Sequence, residues 1–281
     1  MLHPHHDLHP GFPSPLSLHL SPQRGLVTTV LGALAWACLV VTSFVWLWRG
    51  WPSWHADASS WRTSSWRTGR AIRWGDQRSG AVALMFNVDW GQECLPDLLD
   101  TLKEHRAPAT FFVTGTFAER FPDLVRNMAK DGHVVASHGQ SHVHPAQLDT
   151  AGLRDHILEG ISTLEHILGQ PVPRLYAPPY GEAPPSVVEE AARLGLHTIL
   201  WSVDSLDWQR PSPAELSHRV LGGVRPGALV LMHPTLPTLE ALPEIIQGIR
   251  RAGWQLVTVP QILPPTASGD LPATLESVQG G

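Results

Sequence analysis

From residue 81 onward the hydrophobic and polar positions fall into two alternating textures. Short apolar runs of strand length occur at 81–88 (AVALMFNV), 109–113 (ATFFV), 133–136 (HVVA), 197–201 (HTILW), 228–232 (ALVLM) and 255–259 (QLVTV). Helix-like stretches lie between them at about 94–105, 116–130, 150–168, 185–194, 213–222 and 239–251. This alternation predicts parallel strands joined by crossover helices, in an α/β sheet that is either open or closed into a barrel. In both architectures function concentrates where strands end and loops begin.

The pattern before residue 81 is different. Residues 1–25 are rich in His and Pro without apolar periodicity and read as a disordered tail. Residues 26–48 (LVTTVLGALAWACLVVTSFVWLW) carry no charge between Arg24 and Arg49. At about 1.5 Å per residue such a stretch spans a hydrocarbon core of roughly 30 Å, and Trp46 and Trp48 suit the interfacial belt. Its length favours an uncleaved transmembrane anchor over a signal peptide. Residues 49–78, with Trp51, Trp54, Trp61, Trp66 and Trp74 and a tandem SSWRT at 59–68, read as a juxtamembrane linker. The folded domain is expected at 79–263, followed by a flexible tail at 264–281. Arg49, Arg62, Arg67, Arg70 and Arg73 follow the span whereas only Arg24 precedes it, so the positive-inside bias by itself places the domain in the cytoplasm.

Composition narrows the function. The net charge of −5 speaks against a nucleic-acid partner. Two cysteines, Cys38 and Cys94, make neither a disulfide framework nor a cysteine zinc site.

The polar chemistry collects at the predicted strand exits. The first strand leads into Asn87-Val88-Asp89-Trp90-Gly91, and the run ending at Ala136 leads into Ser137-His138-Gly139-Gln140-Ser141-His142-Val143-His144-Pro145. Later exits carry Tyr176-Ala177-Pro178-Pro179-Tyr180-Gly181, then Asp204-Ser205-Leu206-Asp207-Trp208, then Met232-His233-Pro234. Imidazole is the commonest protein ligand for zinc, and a pair such as His138 and His142 with one carboxylate makes a three-ligand site with an open position. Solvent-exposed loop histidines in a His-rich chain are the ordinary alternative for either residue alone.

These segments resemble the polysaccharide deacetylase family (NodB homology domain, carbohydrate esterase 4), and within it the sporulation-type PdaB/YlxY-like branch. Five ordered motifs carry the resemblance: FNVDWG at 86–91, SHGQSH at 137–142, APPYG at 177–181, DSLDW at 204–208 and LMH at 231–233. The resemblance implies a distorted (β/α)7-type barrel. It also implies hydrolysis of N-acetyl groups from GlcNAc or MurNAc units of a peptidoglycan- or chitin-like polymer, with a divalent metal, zinc. It makes Asp89, His138 and His142 the metal ligands, His233 the general acid, Asp204 the partner that orients and charges His233, and the Tyr180 backbone N–H an oxyanion donor. Pro179, Tyr180, Trp208 and Leu231 are the expected groove. Because polymeric glycan lies outside the membrane, the implied substrate places the domain extracytoplasmically, against the arginine count.

Two positions depart from the family pattern. Asn87 stands where the catalytic base, an Asp, is expected, and Ala177 stands where an Arg pairs with that base. Asn87 and Asp89 are two apart on a strand and face the same side. Glu93 or Glu182 can be weighed as a replacement base, against a plain surface or helix-start role. Asp204 and Asp207 can also be read as caps or as a glycosidase dyad, which leaves the histidine turn unexplained. His133, His144, His197 and His218 are read as structural or surface residues, and Cys94 as packing in the first helix. A catalytically inactive glycan-binding or morphogenetic protein that keeps the fold and metal is the alternative to an enzyme.

Overall fold

The computed structural model describes residues 69–263. The tail at 1–25, the anchor at 26–48, the linker up to residue 68 and the tail at 264–281 lie outside the described residues. Among the described residues no helix is long and apolar enough to cross a membrane.

The predicted alternation is present. In chain order the elements are β1 (Ala81–Val88), α1 (Leu95–Glu104), β2 (Ala109–Val113), α2 (Gly115–Arg120), α3 (Pro122–Lys130), β3 (Val134–Ser137) and α4 (Thr150–Leu168). There follow β4 (Leu175–Tyr176), α5 (Pro185–Arg193), β5 (His197–Thr198), β6 (Val203–Asp204), α6 (Pro213–Gly223), β7 (Leu229–Met232), α7 (Leu236–Arg251), β8 (Gln255–Val257) and the short α8 (Val259–Ile262). The stretch read as one helix over 116–130 is two, because Pro122 has no N–H to continue α2 and instead opens α3 as its first residue. β4 and β6 have two residues each, too short for a period-2 signature to register.

All strand pairs are parallel, in the order β5-β4-β3-β2-β1-β7-β6, with β8 beside the start of β1. The result is a distorted half-barrel. The chain closes the curl between the two edges without a regular ladder. After β5, Ile199 N–H donates to the Tyr176 carbonyl and Ser202 N–H to the Leu229 carbonyl, so residues 199–202 pass from one edge of the sheet to the other. The segment before β1 seals that seam. Ile72 bridges Ile199, Trp74 bridges Ala228, and Gly75 N–H donates to the Gly227 carbonyl at 2.8 Å. Residues 70–76 are therefore part of the folded unit, a correction to the expected boundary at 79.

Parity along the strands separates two cores. Val82, Leu84, Phe86 and Val88 of β1 pack with Phe111, Val135 and Val230 in the layer shared with the helices. Ala81, Ala83 and Met85 face the other way and meet Phe112, Ala136, Leu175, Ile199, Leu229 and Leu231 in a smaller core inside the curl. Successive strand residues point to opposite faces, so continuing the interior set past the strand ends places Asn87, Asp89, His138, Ala177 and His233 above that inner core.

Candidate active site

The interior residues at the strand exits border one cavity of about 430 Å³. Asn87, Asp89, Trp90, His138, His142, Tyr180, Gly181, Trp201, Asp204, Trp208, Leu231 and His233 line it. Of the residues expected there, Pro179 alone does not. It is buried under the 179–181 turn, because the next residue turns back toward the histidines.

The histidine turn is held from several sides. His138 N–H donates to the Val113 carbonyl, while the Gly139 and Gln140 carbonyls accept from Gly115 N–H at 2.9 Å and Thr116 N–H at 2.7 Å. Gln140 N–H donates to the His156 carbonyl on α4. This approach needs two glycines. Gly139 has φ 83, and a side-chain carbon there would fall 2.0 Å from His156 Nε2. A carbon on Gly160 of α4 would fall 2.5 Å from the Gly139 carbonyl carbon. In a helix interior Ala is ordinarily better than Gly by about 0.8–1 kcal/mol, but here the added methyl meets backbone that cannot swing aside. Gly160→Ala is expected to cost about 1–3 kcal/mol, lowering the melting temperature by roughly 2–10 °C in a domain of this size. An unchanged or raised melting temperature in calorimetry would show that the turn is not so pinned.

His138 is fully buried and its ring is oriented by a main-chain atom. Nδ1 lies 2.6 Å from the Ala177 carbonyl, so Nδ1 carries the proton and Nε2 keeps its lone pair. Nε2 is buried and, among the described residues, has no hydrogen-bond partner. Burial, with His142 next, pushes the imidazole down to about 3, keeping it a neutral donor near neutral pH. Burial also lowers His142, against the pull of the neighbouring Asp89 carboxylate. The two rings lie 5.3 Å apart between centroids. Asp89 accepts a hydrogen bond of 2.8 Å from the Thr114 hydroxyl, which also caps α2. Among the described residues no three His, Cys, Asp or Glu side chains already stand in metal-binding geometry. The donor set nevertheless fits a divalent ion, since two neutral imidazoles and a carboxylate border one cavity and a buried Nε2 lacks any other partner.

His233 sits across the cavity, and its partner differs from expectation. Its Nδ1 lies 2.7 Å from Asp207 Oδ1, and its backbone N–H donates to Asp207 Oδ2. Oδ2 also accepts from the Thr238 hydroxyl at 2.6 Å, and Asp207 is completely buried. Asp204, the expected partner, instead lines the cavity and accepts from Leu206 N–H at 2.9 Å. The reason is a backbone reversal. Leu206 (φ 53) and Arg210 (φ 56) are both left-handed and bracket the short 207–209 turn, which sends Asp207 inward and leaves Trp208 56% exposed. Trp90, absent from the expected groove, stacks nearly parallel to His233 with centroids 6.0 Å apart.

Tyr180 is a third left-handed residue, with φ 58 and ψ 5. Holding a non-glycine residue there costs about 1–3 kcal/mol and persists only where the surroundings over-determine it. Asn87 is buried, and among the described residues its Oδ1 has no hydrogen-bond partner. Ala177, expected to stand in for an arginine, is 1% exposed in the inner core. Glu182 is engaged with His144 at 2.7 Å and, like Glu93, does not border the cavity, so neither offers a base there.

Comparison with known proteins agrees with this fold. A family model described as Polysaccharide deacetylase matches residues 75–199. YlxY of Bacillus subtilis, described as uncharacterized, is 35% identical over 192 residues, which are 68% of this chain and 60% of YlxY. The chain thus spans less than two thirds of that relative. A peptidoglycan-N-acetylglucosamine deacetylase of Bacillus cereus is 33% identical over 212 residues, 73% of this chain and 77% of the relative. Among solved structures, BA3943 of Bacillus anthracis, described as a CE4 family pseudoenzyme, aligns with a TM-score of 0.68 and 34% identity over 70% of this chain and 69% of its own. A BA3943 mutant described as having restored enzymatic activity aligns with the same TM-score of 0.68 at 32% identity, over 70% of this chain and 72% of its own.

Proposed function

The chain belongs to the polysaccharide deacetylase family, hydrolases of N-acetyl amide bonds, and on that premise we propose that it is a slow, metal-dependent deacetylase of GlcNAc or MurNAc units in cell-envelope glycan. The observation that carries this reading is the orphaned Nε2 of buried His138, beside His142 and Asp89, across one cavity from the Asp207–His233 pair. We take the metal to be zinc. A divalent ion held by Asp89, His138 and His142 supplies Lewis-acid polarisation of the amide carbonyl and acidifies a water. The chain's own groups do the remainder. Asp207 fixes the His233 tautomer by accepting from Nδ1–H, which leaves Nε2 as the atom that passes a proton to the departing amine. Tyr180 borders the cavity, and in this reading its backbone N–H stabilises the developing oxyanion. Trp208, 56% exposed, offers a flat apolar face for a sugar ring, and Tyr180 and Leu231 line the same cavity.

Turnover is slow in this reading because no carboxylate stands at position 87; losing a general base typically costs about 10²–10⁴ in rate. A glycan substrate also places the domain outside the membrane, anchored through 26–48. The second reading, an inactive glycan-binding or morphogenetic protein, is favoured by Asn87 and Ala177 together and by the likeness to a pseudoenzyme. Mass spectrometry of acetyl release from GlcNAc oligomers and peptidoglycan fragments, with zinc and with chelator, separates the two. We expect slow, zinc-dependent release. No release with any divalent metal, together with tight glycan binding, would establish the second reading instead.

A further inference from the structure

We propose that Glu182 and His144 form a positioning clamp that holds Tyr180 and, through it, the ring of His142. The contacts stand on geometry alone; their consequence for metal binding rests on the proposed function. His144 Nδ1 lies 2.7 Å from Glu182 Oε1, and Glu182 Oε2 accepts from Ala146 N–H at 3.4 Å. One carboxylate therefore ties the exit leg of the histidine turn to the 179–181 turn. The His144 imidazole stacks on the Tyr180 ring with centroids 3.9 Å apart and planes at 9°. The same ring meets His142 edge-to-face at 4.4 Å and 64°, and its hydroxyl donates to the His142 carbonyl at 3.4 Å. Tyr180 thus stands between a cavity imidazole and an outer one.

The need for a clamp lies in the backbone and in the exposure. An aromatic residue at φ 58 is in a sparsely populated region, and a residue that is 53% exposed is not held there by burial alone. Contacts from outside must hold it, and His144, itself oriented by Glu182, makes the closest of them. By sequence alone His144 is a structural or surface residue and Glu182 a candidate base; the geometry makes them partners in positioning. Outer partners that orient a metal-binding imidazole typically change metal affinity by about 10–100-fold.

The test uses Glu182→Ala, Glu182→Gln and His144→Phe. Zinc affinity is read by competition with a chromophoric chelator, and ring order by histidine nitrogen–proton NMR of the metal-free protein. Glu182→Ala is expected to shift or broaden the His142 ring resonances and to weaken zinc at least tenfold. Glu182→Gln, which keeps an acceptor for the His144 N–H, is expected to recover most of both. His144→Phe, which keeps the stack and loses the bond, is expected to fall between them. A general loss of fold lowers the melting temperature in Glu182→Gln as well, so recovery by that variant marks positioning. Unchanged His142 resonances and zinc affinity in Glu182→Ala overturn the clamp. If the unaltered protein takes up no zinc, the metal part of the proposed function fails and the ring spectra alone decide the clamp.

Discussion

Asn87→Asp combined with Ala177→Arg is expected to raise turnover by about 10²–10⁴, the usual contribution of a positioned general base. Asn87 lies on the inward face of β1, two residues past Met85, and borders the same cavity as the candidate metal ligands. A carboxylate there can take a proton from the attacking water, which an amide cannot. The arginine is required with it. An Asp at a site as buried as Asn87, 6% exposed, is pushed toward its neutral form by desolvation. Ala177 belongs to the inner core beside the cavity, so a guanidinium from that position is suited to hold the new carboxylate ionised. Asn87→Asp alone is therefore expected to gain less than the pair. Ala177→Arg alone is expected to lose stability by burying an unpaired charge. Acetyl release by the four proteins checks this, and a double variant no faster than the starting protein would show that a missing base is not what limits the site.

Asp207→Asn is expected to lower kcat by about 10²–10⁴ in that restored background, through failure of general-acid catalysis. Three donors already converge on this carboxylate, namely His233 Nδ1–H, His233 N–H and the Thr238 hydroxyl. An amide replaces one accepting oxygen by an NH2 group, so at least one buried donor loses its acceptor, at about 1–3 kcal/mol. The His233 ring also loses the negative charge beside it. Asp204→Asn is a sharp control, since Leu206 N–H needs only an oxygen acceptor and an amide provides one. We expect Asp207→Asn to lose at least tenfold more kcat than Asp204→Asn, by about 1.4 kcal/mol of barrier or more. The reverse order, in steady-state kinetics, would return the partner role to Asp204.

The site's location was readable because strand-end parity and motif order are local properties. Asn87 and Asp89 share a face by spacing alone, and β1 and β7 alternate cleanly enough to send Leu231 and His233 inward as well. What was misread depends on backbone reversals and distant approaches. Asp204 and Asp207 are three residues apart in a loop, and which one reaches His233 is set by left-handed Leu206. No composition signal marks a leucine for that conformation. The glycine pair at 139 and 160 is 21 positions apart, so their fit became legible only when α4 packed against the turn. Residues 70–76 were read as linker because isolated bridges leave no period, yet they seal the seam of the curl.

The α/β alternation, the face on which chemistry collects, and the identities of the imidazoles and carboxylates there all follow from residue type and strand or helix period. Packing in three dimensions is what makes Asp207 rather than Asp204 hold His233, sets the His138 tautomer through the Ala177 carbonyl, buries Pro179 and lets Glu182 and His144 brace Tyr180. The hydrogen bonds among these turn on where one atom lies relative to another across 26 to 39 positions of chain. Such distances are set by packing and positive-φ backbone turns, which a one-dimensional pattern does not encode.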